Sequence, residues 1–342
     1  MKKILIFIIT FVIGLISLWW ATSQVGFHEV GQAFAHFPTR GLFWVFLITF
    51  LIVLVNIFRL RFIMKKISCS LPFWKVGEIW LSGFTISFLT PISLLGGEFY
   101  MMYAIRKIFS IPWSKSIAAV FINRILDAVL FLTFLFLGMF IFFSSTTSLI
   151  SKKILALGGG MIVLLVSFLA LFFLKSSRKE SVLAWFIKLF GFKKEKFENS
   201  MGGEVLFRSE KRIFDFLTEN KKDFIKGLGL SLIKYSLIFL RVMVILYFFG
   251  FGFNIVNSAS VYGFFNFCSI IPLPALLGSL EIVEGGVFKA LGMGANFGIA
   301  FAFLIRGVEL ILVFIGLILI LRFSVKVIKI RIDEFLDKIS KF

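Results

Sequence analysis

Six apolar runs, each long enough to cross a bilayer once coiled into a helix, divide this sequence at residues 4–22, 41–58, 116–143, 154–174, 227–250 and 297–323. A spanning helix needs about 20 apolar residues. Backbone inside lipid must satisfy its own hydrogen bonds, which leaves helices as the form such runs can take. The fold class is therefore an all-α polytopic membrane protein. Composition agrees: 59% of the 342 residues are hydrophobic and 16% charged, against about 45–50% and about 25% in a soluble domain. That apolar content excludes disorder. It also argues against a nucleic-acid partner, because no basic surface would keep so much Phe, Ile and Leu in solution.

The first run has a competing reading as a signal peptide. It is long for that purpose, ends in Trp19-Trp20 and lacks an A-x-A cleavage site, so an uncleaved span with an interfacial Trp anchor is expected. The net charge of +19 then becomes a statement about orientation. Of the 37 basic residues, 29 lie at the N-terminus or in residues 59–75, 104–115, 175–226 and 322–342. With six spans all of these fall on one side, and the positive-inside rule makes it the cytoplasm. Both termini are expected there, in a cell membrane. The loops assigned to the other side hold Arg40, Lys152 and Lys153.

Two further stretches, residues 77–108 and 258–291, are apolar but broken near the middle by "TPISLLGGE" (90–98) and "IPLPALLGSLE" (271–281). Pro91, Gly96 and Gly97 mark the first break, and Pro272, Pro274 and Gly278 the second. Each flank holds about 13–17 residues, too few to cross comfortably. Non-helical backbone at membrane depth is tolerated inside protein or beside a watery cavity. Both stretches are expected to be re-entrant helical hairpins, with kinked ordinary spans as the alternative.

The two broken stretches correspond. At an offset of 183, Pro91 matches Pro274, Glu98 matches Glu281 and Arg106 matches Lys289. At an offset of 182, Arg124 matches Arg306 and Asp127 matches Glu309. Followed through the expected topology, the halves run in opposite senses, an inverted-topology repeat of the kind that builds many secondary transporters. The chain then reads as a single transmembrane domain, 1–342: first span and outer loop (1–40), first repeat (41–143), linking span and basic cytoplasmic segment (144–226), inverted second repeat (227–323) and basic tail (324–342).

Glu98, Arg124, Asp127, Glu281, Glu284, Arg306 and Glu309 all lie in apolar surroundings. A charge at the bilayer centre costs about 2.5–3.5 kcal/mol on insertion scales, so such residues need partners or water. Arg124 with Asp127, and Arg306 with Glu309, share a helix face at i, i+3 and can be locally neutral. Glu98 and Glu281 follow the breaks, where a helix N-terminus favours negative charge. One reading is a polar cavity between the repeats, with the arginines on a phosphate and the glutamates on an amine or on hydroxyls. The other is a pinning network in which Glu98 and Glu281 pair with the arginines. Asn123 and Asn266 either line the cavity or join helices. Residues 175–226, with 13 basic and 8 acidic residues, are expected to form amphipathic helices on the cytoplasmic surface. Cys69, Cys268, His28 and His36 form no disulfide framework or metal-ligand set, and no cofactor is expected.

"PISLLGGEFYMMYAIRK", "NRILDAVLF", "PLPALLGSLEIVEGGVF" and "RGVEL" resemble the lysylphosphatidylglycerol synthase transmembrane region, also described as flippase-like or UPF0104 integral membrane proteins. The resemblance implies a polytopic fold and translocation of a polar-headed lipid, such as an aminoacylated phosphatidylglycerol or a polyprenyl-linked sugar. It carries over Glu98, Arg124, Asp127, Glu281 and Arg306 as the polar core. Members that synthesise lysylphosphatidylglycerol have a soluble aminoacyltransferase domain after the membrane region. This chain ends at Phe342, so the synthase activity is not expected of it. The duplicated broken hairpin with buried charge makes the lead expectation a lipid flippase or transporter acting on membrane lipids with a phosphate-bearing headgroup. The alternatives are a membrane-embedded lipid-head transferase, and a non-catalytic partner that docks a separate cytoplasmic enzyme through residues 175–226.

Overall fold

A computed structural model describes residues 2–67, 69–90, 96–146, 201–219 and 221–339, together with positions 160, 163, 167, 170, 181 and 183–185. The described residues are helical or lie in short turns, with no strand among them. Pro91, most of the run at 154–174 and residues 186–200 lie outside them.

The helices are α1 (Lys2–Val25), α2 (Phe27–Ala35), α3 (Thr39–Lys66), α4 (Phe73–Leu89), α5 (Gly96–Phe109), α6 (Trp113–Ser145), α7 (Met201–Phe214), α8 (Lys221–Leu246), α9 (Ile255–Cys268), α10 (Ser279–Ala290) and α11 (Ala295–Ile339). Pro38, Pro72 and Pro112 each stand immediately before a helix. A missing N–H costs nothing there, because the first helical donors have no intrahelical partner. Gly250 and Gly252, with φ of 92° and 69°, end the α8 segment.

Four helical stretches are long and apolar enough to cross a membrane: Thr39–Lys66, Trp113–Ser145, Lys221–Phe251 and Ala295–Phe323. They overlap four of the six expected runs, and the run at 4–22 lies within α1. The helices around the two breaks are shorter, at 17 and 14 residues for α4 and α5 and 14 and 12 for α9 and α10. Each falls below the length of about 20 residues that spans the hydrocarbon core.

Packing gives these two short pairs different neighbouring helices. α4 packs on α5 and α11, whereas α9 packs on α10 and α6. One core gathers Val53, Leu60 and Met64 of α3 with Met101 and Ile105 of α5, Ile122 of α6 and Phe214 of α7. The second gathers Val45 of α3, Leu135 and Phe142 of α6, and Tyr262, Phe288 and Phe301 of α9, α10 and α11. The cores therefore occupy opposite ends of α3 and of α6. Asp127 falls at the seam, between Leu126 in one and Leu132 in the other.

Residues 201–219 bury Ile213, Phe214, Phe216 and Leu217 in the first core, and α7 packs on α6. Part of the segment expected to lie along the membrane surface thus belongs to the folded body. Its hydrophobic face is covered by protein.

Candidate functional site

Between the two broken helix pairs lies a cavity of about 290 Å³. Its charged lining consists of Glu98 on α5, Arg124 and Asp127 on α6, Lys234 on α8 and Glu309 on α11. Asn56, Asn123, Ser87, Asn266 and Ser269 add neutral polar groups, and Trp80, Phe84, Phe88, Phe131 and Phe265 supply aromatic walls. Both halves of the chain contribute. Ala275 and Leu276 of the second break close one side.

The ion pairs here run between helices. Arg59 on α3 grips Asp127 through both terminal nitrogens, with Nη2 to Oδ2 at 2.8 Å. It also donates from Nε to Asn123 Oδ1 (2.9 Å), from Nη1 to Ser231 Oγ (2.8 Å) and from Nη2 to Asn56 Oδ1 (3.3 Å). Lys234 Nζ adds a second cation to Asp127 Oδ1 at 2.8 Å. This corrects the sequence reading of Arg59. Its place beside Arg61, Lys65 and Lys66 assigns it to the cytoplasmic flank, yet its side chain is 0% exposed. α3 runs on past the apolar stretch, and at Arg59 it faces α6 and α8 rather than water.

Arg124 forms an ion pair with Glu98, tying α6 to the first turn of α5. Arg306 does the same for Glu281, tying α11 to the first turn of α10, with Nη2 to Oε2 at 2.8 Å. Arg306 also donates from Nε to Ala275 O at 3.0 Å and from Nη2 to Leu276 O at 2.5 Å. Those two residues have φ of 53° and 54°, a left-handed conformation that L side chains rarely adopt. Strained backbone persists when its surroundings over-determine it, and the guanidinium does so here. Glu281 closes the break by accepting from Gly278 N at 3.1 Å.

The two pairs differ in access. Arg124 is 33% exposed and faces the cavity. Arg306 is 7% exposed and lies outside the lining, with its nitrogens turned to the break. Of the predicted site residues, Glu98, Arg124, Asp127 and Glu309 meet in one cavity, whereas Glu281 and Arg306 form the clasp beside it. Gly96 and Gly97 open α5. Gly97 must remain small, because a Cβ there would stand 2.7 Å from the Gly83 carbonyl carbon of α4.

Glu309 pairs with Arg241 of α8 at 3.8 Å, and Arg241 Nη1 donates to Thr49 Oγ1 of α3 at 3.2 Å. The repeat offset that takes Arg124 to Arg306 also takes Arg59 to Arg241, Asp127 to Glu309 and Thr49 to Ser231. Neither the Arg59 nor the Arg241 partnership was anticipated from the sequence. The signal was available, since their spacing equals that of Arg124 and Arg306.

The family profile described as the lysylphosphatidylglycerol synthase TM region matches residues 7–316. The chain belongs to that family. Membership accounts for the apolar helices and makes this a membrane-embedded, multi-pass protein. A similar relative is a UPF0104 membrane protein of Methanocaldococcus jannaschii, 25% identical over 112 residues. That match spans 33% of this chain and 33% of the relative. No solved structure matches the chain. The family profile covers both broken helix pairs and every charged residue of the cavity lining.

Proposed function

We propose that this protein moves a polar-headed lipid between membrane leaflets, passing the headgroup through the cavity between two inverted repeats. The observation that carries the reading is the cavity itself: a polar space between two broken helix pairs, lined by both halves of the chain and holding Arg124 and Lys234 among three carboxylates. Broken helices meeting at a midplane site are the recurrent construction of secondary transporters. Charges inside a membrane are costly and mark substrate and ion pathways.

The repeat is supported by exchange of partners. The first short pair packs on the last long helix, α4 on α11, and the second packs on the first half's long helix, α9 on α6. Arg59 reaches Ser231 while Arg241 reaches Thr49. Under a two-fold relation residue i meets j′ and j meets i′, which is this pattern. The two cores at opposite ends of α3 and α6 support hairpins that enter from opposite faces. The distribution of the basic segments supports a topology with both termini in the cytoplasm.

The size and charge of the cavity fit a headgroup and not acyl chains. A phosphate suits Arg124 and Lys234 by charge-assisted hydrogen bonds, and an amine suits Glu98 or Glu309. An aminoacylated phospholipid carries both. The tails stay in the hydrocarbon beside the bundle, so only the head has to be desolvated.

The test is reconstitution. Proteoliposomes containing tail-labelled aminoacyl-phosphatidylglycerol should equilibrate it between leaflets faster than protein-free vesicles, read by extraction of the outer leaflet. Rates no faster than those of protein-free vesicles with phospho-, aminoacyl- and glycolipid probes alike would overturn the reading.

A further inference from the structure

Glu284 on α10 plays no part in the site described above. Its side chain is buried at 0% exposure, and neither carboxylate oxygen has a hydrogen-bond partner among the described residues. α10 packs against α1, α9 and α11. Among the described residues, the charged groups that share with it the surroundings of Cys268 on α9 are Glu281 on α10 itself and Arg306 on α11. The described side chains of α1, from Phe11 to Val25, include no charged residue. Arg306 is already committed to Glu281 and to two backbone carbonyls. A carboxylate left without a counter-ion in such surroundings takes up a proton rather than remain charged.

The repeat gives this proton a route. Glu284 stands as far beyond Met101 as Glu281 stands beyond Glu98, so it is the counterpart of Met101 in the second half. Met101 lines the cavity in the first half. The halves differ at present: the Arg124–Glu98 pair opens onto the cavity and the Arg306–Glu281 pair is closed off from it. In an inverted repeat, access alternates when one half moves against the other around a fixed site. If the halves exchange shapes, the second clasp opens onto the cavity and Glu284 takes the lining position that Met101 holds here.

We propose that Glu284 is a proton-coupling carboxyl, protonated in this state and releasing its proton to cavity water in the exchanged state. The proton leaves as hydronium and the carboxylate is then solvated, so no other reactant is needed. Return to the present state requires Glu284 to take a proton back from the same cavity water before it is buried again, so no net proton is carried across and the cycle is coupled to the pH on the side to which the exchanged state opens. The coupling rests on the lipid-transport reading, whereas the buried proton does not.

The experiment therefore has two arms on the full chain in proteoliposomes. Infrared spectroscopy at neutral pH should show the carbonyl stretch of a protonated carboxylic acid, and Glu284→Gln should remove it. Glu284→Met, the residue that the repeat places at the matching position, serves as a second variant if the amide fails to fold. Persistence of the band in both variants would overturn the proposal. In the second arm, an imposed pH gradient should change the rate of wild-type lipid movement several-fold, and the variants should move lipid without responding to the gradient. Wild-type movement that ignores the gradient overturns the coupling alone. Absence of any lipid movement overturns the transport reading and the coupling with it, while the infrared band still decides whether Glu284 holds a proton.

Discussion

Arg59 and Arg241, which share the spacing of Arg124 and Arg306, each donate to a hydroxyl on the helix that carries the other. Arg59 of α3 reaches Ser231 of α8, and Arg241 of α8 reaches Thr49 of α3. Each arginine then holds the acid of the following long helix, Asp127 on α6 or Glu309 on α11. The two junctions are built to one plan and differ in tightness. Arg59 has both Asp127 oxygens and three neutral acceptors. Arg241 has one long contact to its acid, and its buried Nε has no hydrogen-bond partner among the described residues.

That difference predicts unequal costs. Arg59→Ala strands Asp127 on Lys234 alone and leaves Asn123 and Ser231 without their donor. Removing one partner of a buried pair costs about 3–5 kcal/mol, so Arg59→Ala should lower the melting temperature of the purified protein strongly. Arg241→Ala should lower it less, because Glu309 also borders the cavity and gains water. Equal shifts for the two variants would show that the tighter network contributes nothing extra.

The two clasp arginines should separate function from folding. Arg124→Ala removes a part-exposed cation from the cavity, so lipid movement should be lost while the melting temperature changes little. Arg306→Ala removes the donor to Ala275 and Leu276, which hold a strained backbone. Its melting temperature should fall by more than that of Arg124→Ala. Unimpaired transport by Arg124→Ala would remove this residue from the pathway.

Much of this was legible in the sequence because apolar runs and Pro/Gly breaks are local signals. Runs at 41–58, 116–143, 227–250 and 297–323 correspond to four long helices, and a shared spacing already linked Glu98 to Glu281 and Arg124 to Arg306. Partner choice was not local. Arg124 with Asp127 satisfies the i, i+3 rule, yet Asp127 is held by Arg59 and Lys234 from two other helices. Arg59 looked like a flanking charge because sequence reports only the end of an apolar run. It does not report which way the helix faces beyond that end. Lys234 has Ile52 at the corresponding first-half position, so no repeat argument could have assigned it.

Cys69 tests sidedness. It lies between α3 and α4, partly accessible, whereas Cys268 is fully buried. The proposed topology puts Cys69 in the cytoplasm, so a membrane-impermeant maleimide should label it in inside-out vesicles and not in intact cells. Burial raises the Cys69 thiol pKa above its ordinary value, and nearby Lys115 offsets this only in part. The thiolate is the reactive form. A raised pKa means less of it at neutral pH, so labelling should keep accelerating with pH beyond the point where a free thiol levels off. Labelling from outside would invert the topology.

The crossing of α6 and α9 depends on the absence of two side chains. A Cβ on Gly263 would stand 2.7 Å from the Gly138 carbonyl carbon, and backbone at that distance cannot yield as a flexible side chain would. Small residues let membrane helices approach this closely, and van der Waals packing then holds them together. Gly263→Ala must push α9 from α6, and overpacking of this kind costs about 1–3 kcal/mol. Gly286 on α10 supplies the control, since a Cβ there meets nothing within 4 Å. Gly286→Ala should be neutral or gain about 0.5–1 kcal/mol from helix propensity. Both substitutions add the same methyl group to a helix, so the difference between their melting temperatures isolates the close approach. If Gly263→Ala melts no lower than Gly286→Ala, the two helices do not meet as closely as the packing described here requires.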